Sequence, residues 1–132
     1  MRYLFSGLLI CMFIFPASAQ LFNFDTINPD ALYENIFSKK IYGDSLATTF
    51  IIWIKKDVAL HKHAEHTEQV YILEGTAKML LGENWFDIKA GDYIIIPKQT
   101  PHQVIVNSVI PLKVVSIQSP MFDGTDRILI TN

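Results

Sequence analysis

The chain has 132 residues, with 11 basic and 13 acidic side chains and a formal net charge of −2. This length predicts a single domain. The acidic balance and the lack of a basic cluster argue against a nucleic-acid-binding protein and against attraction to an anionic membrane surface.

The first 19 residues have the layout of a secretory signal peptide. Arg2 supplies a positive charge, Leu4–Phe15 is almost wholly apolar, and residues 17–19 are Ala-Ser-Ala. The apolar run is shorter than the roughly 20 residues that a membrane-spanning helix needs. We therefore expect cleavage before Gln20 and export to a periplasmic or extracellular location, with no stable membrane insertion afterwards.

The mature chain, residues 20–132, would carry ten basic and thirteen acidic side chains and a net charge of −3. The single cysteine, Cys11, lies within the predicted signal peptide, so we expect no disulfide bond. A domain of this size buries enough apolar surface to fold without such a crosslink.

Residues 20–35 form an irregular lead-in, in which Asn-Pro-Asp at residues 28–30 permits a short helical turn at most. From residue 36 onward, short runs rich in β-branched and aromatic side chains alternate with turn signals. The predicted strands are Ile36–Tyr42, Leu46–Lys55, Gln69–Leu73, Ala77–Leu81, Trp85–Ile88, Tyr93–Ile96, Gln103–Val106, Leu112–Ile117 and Ile128–Ile130. Many short strands without a long helical period predict an all-β sandwich or barrel.

The segment HKHAEHTEQVYILEG, residues 61–75, concentrates polar side chains directly before an apolar run. On an extended chain His61 and His63 project to the same side, with Cα atoms about 6.5–7 Å apart. Glu68 would lie about 16 Å beyond His63 on a straight strand, so it joins them only if the intervening segment turns. Two neutral imidazoles and a carboxylate suit manganese, iron, nickel, copper or zinc better than calcium or magnesium. The alternative is a polar connection that contacts only water.

The spacing of these residues resembles the first motif of the cupin superfamily. The matching positions are His61, His63, Glu68 and Gly75, with one, four and six residues between them. Lys55 stands where the family has its leading glycine.

A second cupin motif follows, and it matches at Gly91, Pro97 and His102, with five and four residues between them. Gln99 stands where the family usually has glycine, and Val106 where it usually has asparagine. The two motifs together fill every metal-ligand position of the family.

The resemblance covers roughly Ile36–Ser119 and implies a small cupin-type β-barrel, or double-stranded jelly roll, over residues 36–132. It also implies one divalent transition metal held by His61, His63, Glu68 and His102. Four protein ligands would leave two positions of a six-coordinate ion for water, dioxygen or substrate.

Strand parity suggests which side chains surround this site. Val70 and Ile72 share parity with Glu68, and Val104 and Val106 share parity with His102, which predicts an apolar cavity wall. Another wall would come either from Phe50, Ile52 and Ile54 or from Ile51 and Trp53.

Four polar residues near the site have two interpretations each. Gln118 and Ser116 are candidate substrate-binding residues, or they satisfy hydrogen bonds at the end of the barrel. Glu65 and His66 lie in the predicted turn, where solvent exposure is the commoner outcome. The alternative is that they act as substituted metal ligands or as an acid/base pair at the mouth of the site.

Cupins share a fold and a metal site but differ in chemistry, so the resemblance leaves the function open. A metal-dependent enzyme of dioxygenase, isomerase or lyase type is the first hypothesis. A non-catalytic protein that binds a sugar or another small molecule is the second. A purely structural metal is disfavoured because structural sites usually use thiolates. The exposed edges at Ile36–Tyr42 and the terminal RILI run predict a homodimer.

Overall fold

The computed structural model describes residues 18–131, which contain ten strands and one short 3-10 helix at Phe24–Thr26. The strands are β1 (Ile36–Gly43), β2 (Thr48–Ile54), β3 (Asp57–Lys62), β4 (Thr67–Glu74), β5 (Thr76–Leu81), β6 (Asn84–Lys89), β7 (Tyr93–Ile96), β8 (His102–Val106), β9 (Leu112–Ser119) and β10 (Ile128–Leu129). Within this range no helix is long and apolar enough to cross a membrane. The predicted signal peptide lies almost entirely outside the described residues and stays a prediction.

The strands form two five-stranded antiparallel sheets, which confirms the predicted all-β fold. The first sheet has the order β1-β2-β9-β4-β7, and the second has the order β10-β3-β8-β5-β6. Apolar residues from both sheets pack into one interior cluster, which includes Ile72 and Val114 from the first sheet and Met79 and Val104 from the second. The interior between the sheets is therefore apolar along most of its length.

Strand β9 lies in the middle of the first sheet and is buried on both faces. Its outward-facing Lys113 is only 3% exposed, because its Nζ donates to the carbonyl of Phe24 and contacts Glu74 at 3.1 Å. Trp53 on β2 packs beside it, 5.9 Å from the ring of Phe37. The N-terminal segment thus covers part of the outer face of this sheet.

The same arrangement decides the parity of β2. Phe50, Ile52 and Ile54 line the interior cavity, whereas Ile51 and Trp53 are buried on the opposite face. Both sets are apolar because both faces of this strand are covered.

Two elements differ from the sequence expectations. Strand β3 is expected from the spacing of His61 and His63 but not from composition, because its residues, DVALHK, mix charged and apolar side chains. The short helical turn lies at Phe24–Thr26 and not at residues 28–30, because the side chain of Asn23 caps it by accepting from the Asp25 amide.

Candidate metal centre

Three histidines meet at one end of the interior. His61 is on β3, His63 follows directly after this strand, and His102 is the first residue of β8. Antiparallel pairing of β3 with β8 sets His61 directly opposite His102, with ring centroids 4.0 Å apart. One ring nitrogen from each histidine lies within 4.8 Å of the other two, and all three side chains are buried.

Glu68 approaches this group from the other sheet, as the second residue of β4 after a turn at residues 63–66. Its Oε2 lies 3.4 Å from Nε2 of His102 and 3.6 Å from Nε2 of His63. It is not part of the compact group that the three histidines form, and its nearest contacts are with two of them. The turn therefore brings Glu68 to the edge of the three-histidine group.

The protein fixes the orientation of each imidazole through its second nitrogen. Nδ1 of His61 faces the carbonyl of Ala59 at 2.8 Å, and Nδ1 of His102 faces the carbonyl of Thr100 at 3.0 Å. Nδ1 of His63 is hydrogen-bonded to the backbone carbonyl of Asp126, which lies near the C-terminus. Because a carbonyl only accepts, each Nδ1 carries the proton, which leaves Nε2 of the neutral ring free to bind a metal.

The converging atoms fit a cation better than they fit one another. Nε2 of His102 is buried and has no hydrogen-bond partner, although it faces Oε2 of Glu68. In the neutral tautomer both atoms are acceptors, and buried acceptors that face each other without a proton or cation between them are unfavourable. Three imidazole nitrogens and a carboxylate form a set that suits a divalent transition metal.

The surroundings push the titrations of these groups apart. Burial and the neighbouring His102 lower the pKa of His61 to about 4. Burial also acts to lower the pKa of His63, but the nearby carboxylate of Glu68 and the hydrogen bond with the carbonyl of Asp126 outweigh it, and the pKa is raised. Burial acts to raise the pKa of Glu68, yet the close approach of His102 and His63, together with the hydrogen bond from Ser116, holds it well below its usual range. A proton on His63 therefore competes with a metal ion.

The two candidate substrate-binding residues on β9 both contact Glu68. Ser116 donates from its hydroxyl to Oε1 of Glu68, and Nε2 of Gln118 donates to the same oxygen at 3.4 Å. These bonds hold the carboxylate with Oε2 turned toward the histidines. Ser116 is fully buried and does not line the cavity, whereas Gln118 does, with an Oε1 that has no partner.

The turn residues at 65 and 66 differ from each other. Glu65 is exposed, and its carboxylate lies 4.0 Å from Nζ of Lys98. The expectation of a solvated His66 is wrong: the side chain is 6% exposed, with Nδ1 2.5 Å from the carboxylate of Asp126 and Nε2 3.0 Å from the carbonyl of Met121. Both ring nitrogens of His66 are thus occupied within the protein.

Asp126 is a residue of this site that sequence reasoning missed. Its carboxylate accepts from the backbone amides of Ala64, Glu65 and His66 and from the ring of His66. Its own carbonyl accepts from the His63 ring. Desolvation acts to raise the pKa of the Asp126 carboxylate, yet the hydrogen bonds with His66 and with the amides of Glu65 and Ala64 hold it well below the usual range. Asp126 fixes the turn between His63 and Glu68, and its position 61 residues from Glu65 gives no local sequence signal.

The candidate ligands open onto a cavity of about 230 Å³. Most of its wall is apolar, and Val70, Ile72 and Val104 contribute as strand parity predicted, whereas Val106 packs elsewhere against the core. The polar lining residues are Ser38, His61, His63, Glu68, His102, Gln118 and Arg127.

Comparisons with known proteins agree with this geometry. A family model described as Cupin domain matches residues 50–118. An uncharacterized protein of Methanocaldococcus jannaschii, MJ1618, is 36% identical over 97 residues, which are 74% of this chain and 75% of that protein.

Solved structures share the fold at low identity. A Klebsiella pneumoniae protein with a double-stranded β-helix domain superposes with a TM-score of 0.71 at 18% identity, covering 87% of this chain and all of that one. Pac13, a nucleoside dehydratase from Streptomyces, superposes with a TM-score of 0.60 at 15% identity, covering 70% of this chain and 84% of that one. The matched sequence, the two sheets and the buried histidines agree, and the chain belongs to the cupin family.

Proposed function

We propose that this cupin is exported, binds a small organic molecule and transforms it at a centre of three histidines and one glutamate. The ligands of its divalent transition metal would be His61, His63, Glu68 and His102. The metal would be manganese, iron, nickel, copper or zinc, because the ligand set mixes imidazole nitrogen with one carboxylate oxygen. The reaction would be of dioxygenase, isomerase or lyase type.

The observation that carries this proposal is the orientation of the three imidazoles. Each donates from Nδ1 to a backbone carbonyl, which directs a free Nε2 toward the others. Such a supporting hydrogen bond fixes the tautomer of a metal-ligating histidine and raises its basicity. A bound ion would supply Lewis acidity at a substrate oxygen. The side chains around the ion would position that substrate and exclude bulk water.

A non-catalytic binding protein is the second candidate. Among the described residues that line the cavity, Glu68 is the sole carboxylate, and its Oε1 is already bonded to Ser116. The cavity lining thus offers no carboxylate besides the proposed metal ligand. A reaction that needs a carboxylate as acid or base would have to use Glu68 itself or a group on the substrate. The comparison with Pac13, a nucleoside dehydratase, supports the enzyme hypothesis, because it is an example of this fold that performs chemistry on a small molecule.

Metal binding to single variants tests the proposal. We expect one ion per chain in the wild type and a sharp loss of affinity when His61, His63, Glu68 or His102 is replaced by alanine. Glu65→Ala is the matched control, because this exposed carboxylate lies in the same turn. Calorimetry with Mn²⁺ and Zn²⁺, together with elemental analysis, gives the stoichiometry. Wild-type affinity in all four ligand variants would refute the metal site.

Turnover then separates the two candidate functions. Metal-loaded protein is incubated with a library of small organic molecules, and bound and free species are identified by mass spectrometry. An altered product that requires the metal supports the enzyme. A ligand that is retained and recovered unchanged supports the binding protein.

Export is proposed on the sequence of residues 1–19 alone. Intact-mass measurement of protein recovered from outside the cytoplasm should give a chain that begins at Gln20. A chain retained in the membrane with its first residues intact would contradict export.

A further inference from the structure

Arg127 is the single fixed positive charge among the described residues that line the cavity. It lies directly before β10, beyond the segment that the family model matches. Within residues 18–131 no carboxylate forms an ion pair with it, and no side-chain hydrogen bond involves it. The neighbouring Asp126 does not neutralise it, because that carboxylate is engaged by His66 and three backbone amides.

The fold places Arg127 beside the candidate metal centre. Strand β10 runs antiparallel to β3, with Leu129 opposite His61 and Ile128 opposite Lys62, so the chain brings Arg127 to the cavity wall near His63. Among the described residues of the cavity wall, Glu68 carries the one negative charge. With the histidines neutral, these two charges cancel, and a bound divalent ion makes the cavity net positive. An anionic group would be attracted to such a site and a cationic group repelled.

The rest of the cavity wall determines the size and polarity of the ligand's body. Its wall consists mainly of aliphatic side chains from both sheets, among them Ile52, Ile72, Met79 and Val114. A cavity of about 230 Å³ is smaller than the roughly 300–1,000 Å³ that drug-sized ligands occupy. The matching ligand is therefore short, with an apolar body and a polar end.

We propose that the ligand of this cavity is a small organic carboxylate, with its anionic group held by Arg127 beside the metal centre and its apolar body against the aliphatic wall. This inference rests on the proposed function, because it assigns the substrate class of the same site. A guanidinium binds a carboxylate with two parallel hydrogen bonds, which makes Arg127 a specificity residue of the chain.

Three matched probes separate the effect of the ligand's negative charge from the effect of its apolar body. The first is 2-hydroxy-4-methylpentanoate, the second is its neutral amide, and the third is lactate, which keeps the carboxylate and hydroxyl but lacks three carbons. We expect the carboxylate to bind more tightly than the amide. Lactate should bind at least about tenfold more weakly than the six-carbon acid, because it buries less apolar surface.

The variants assign the preference to Arg127. Arg127→Gln should weaken binding of the carboxylate roughly fivefold to tenfold, between the values for an exposed ion pair and for a charge-assisted hydrogen bond, and leave the amide unchanged. Arg127→Lys should retain only part of the preference, because the ammonium keeps the positive charge but lacks the two parallel donors. Lys62→Gln is the matched control, because it removes one positive charge from the adjacent strand without touching the cavity lining.

Calorimetry is carried out on the full chain, both loaded with Mn²⁺ and free of metal. Two results would overturn the inference while the metal site stands. In the first, Arg127→Gln weakens binding of the carboxylate and of the amide equally. In the second, Lys62→Gln weakens carboxylate binding as much as Arg127→Gln does. Failure of the wild type to bind Mn²⁺ would instead overturn the proposed function. The ratio of carboxylate to amide affinity in metal-free protein would then still decide the role of Arg127.

Discussion

Asp126 offers the sharpest test of how the site is built, because one side chain orders a turn that carries two candidate ligands. Its carboxylate accepts from three consecutive backbone amides and from the ring of His66. Asp126→Ala removes all four hydrogen bonds at once. Asp126→Asn keeps one oxygen acceptor but loses the charge.

The magnitude follows from the contacts. A hydrogen bond to a charged group contributes about 1.5–3 kcal/mol to stability. Four such bonds would sum to about 6–12 kcal/mol, which is comparable to the entire stability of a domain, so the network cannot be additive. Water also reaches the amide of the exposed Glu65 once the carboxylate is gone. We therefore expect a loss of about 3 kcal/mol for Asp126→Ala and about half of that for Asp126→Asn.

Metal affinity should fall together with stability, because the carboxylate of Asp126 orders the turn between His63 and Glu68. The backbone carbonyl of Asp126, which accepts the proton of the His63 ring, remains in both variants but loses its fixed position when the turn loosens. Disturbance of such a supporting contact costs roughly 10- to 100-fold in metal affinity. Asp123→Asn is the matched control, since within residues 18–131 its carboxylate bonds only to Thr125, in the same segment. Chemical denaturation gives the free energies of unfolding, and calorimetry gives the affinities. If Asp126→Ala and the control Asp123→Asn lose the same free energy of unfolding and the same metal affinity, the turn does not depend on Asp126.

The pH dependence gives a second reading of the same variant. The pKa of Asp126 is held below its usual range in the folded protein. Its stabilisation is therefore fully present above about pH 4, the unfolded value, and is lost as the pH falls through the folded value. The difference in unfolding free energy between the wild type and Asp126→Asn should shrink below about pH 4.

Three further predictions concern the backbone, the metal and the assembly. Gly75→Ala should destabilise by about 3 kcal/mol, because φ is +84° and a Cβ would lie 2.9 Å from the Pro111 carbonyl; Gly82→Ala, at φ +62° with open space, should cost only about 1 kcal/mol in denaturation experiments. As the pH is lowered, metal affinity measured by calorimetry should fall about tenfold per pH unit, beginning above pH 6.5, because a proton competes at His63, whose pKa is raised. An affinity that begins to fall only below about pH 5 would contradict this. Light scattering at tens of micromolar should give a dimer, because the edge strand β1 needs covering, and a monomer mass would rule that out.

Much of the candidate site was predictable because its geometry is local. Side chains two residues apart on an extended chain share a face, so His61 and His63 had to point together. The apolar run after residue 67 predicted a returning strand, and Glu68 lies at its beginning. The approach of His102 came from the family resemblance, and the pairing of β3 with β8 accounts for it physically.

What the sequence did not predict depends on contacts between distant segments. Asp126 and His66 meet only because the segment before β10 folds back over the turn. The sequence could not show which side chains of β2 face the interior, because both faces of this strand are apolar. The opposite face is apolar because the N-terminal segment covers it. Gln99, where the family usually has glycine, keeps the left-handed backbone at φ 65°. Its backbone amide donates to the carbonyl of His63, and its side-chain amide donates to the carbonyl of Ala64.

The central claim is that three imidazoles and one carboxylate bind a single ion, and diffraction from metal-loaded crystals tests it most directly. Data collected on both sides of the Zn²⁺ absorption edge identify and locate the ion. The account predicts one anomalous peak per chain, about 2.0–2.2 Å from Nε2 of His61, His63 and His102 and from an oxygen of Glu68. A peak on His66 and Asp126, or no peak at the three histidines at saturating zinc, would contradict it.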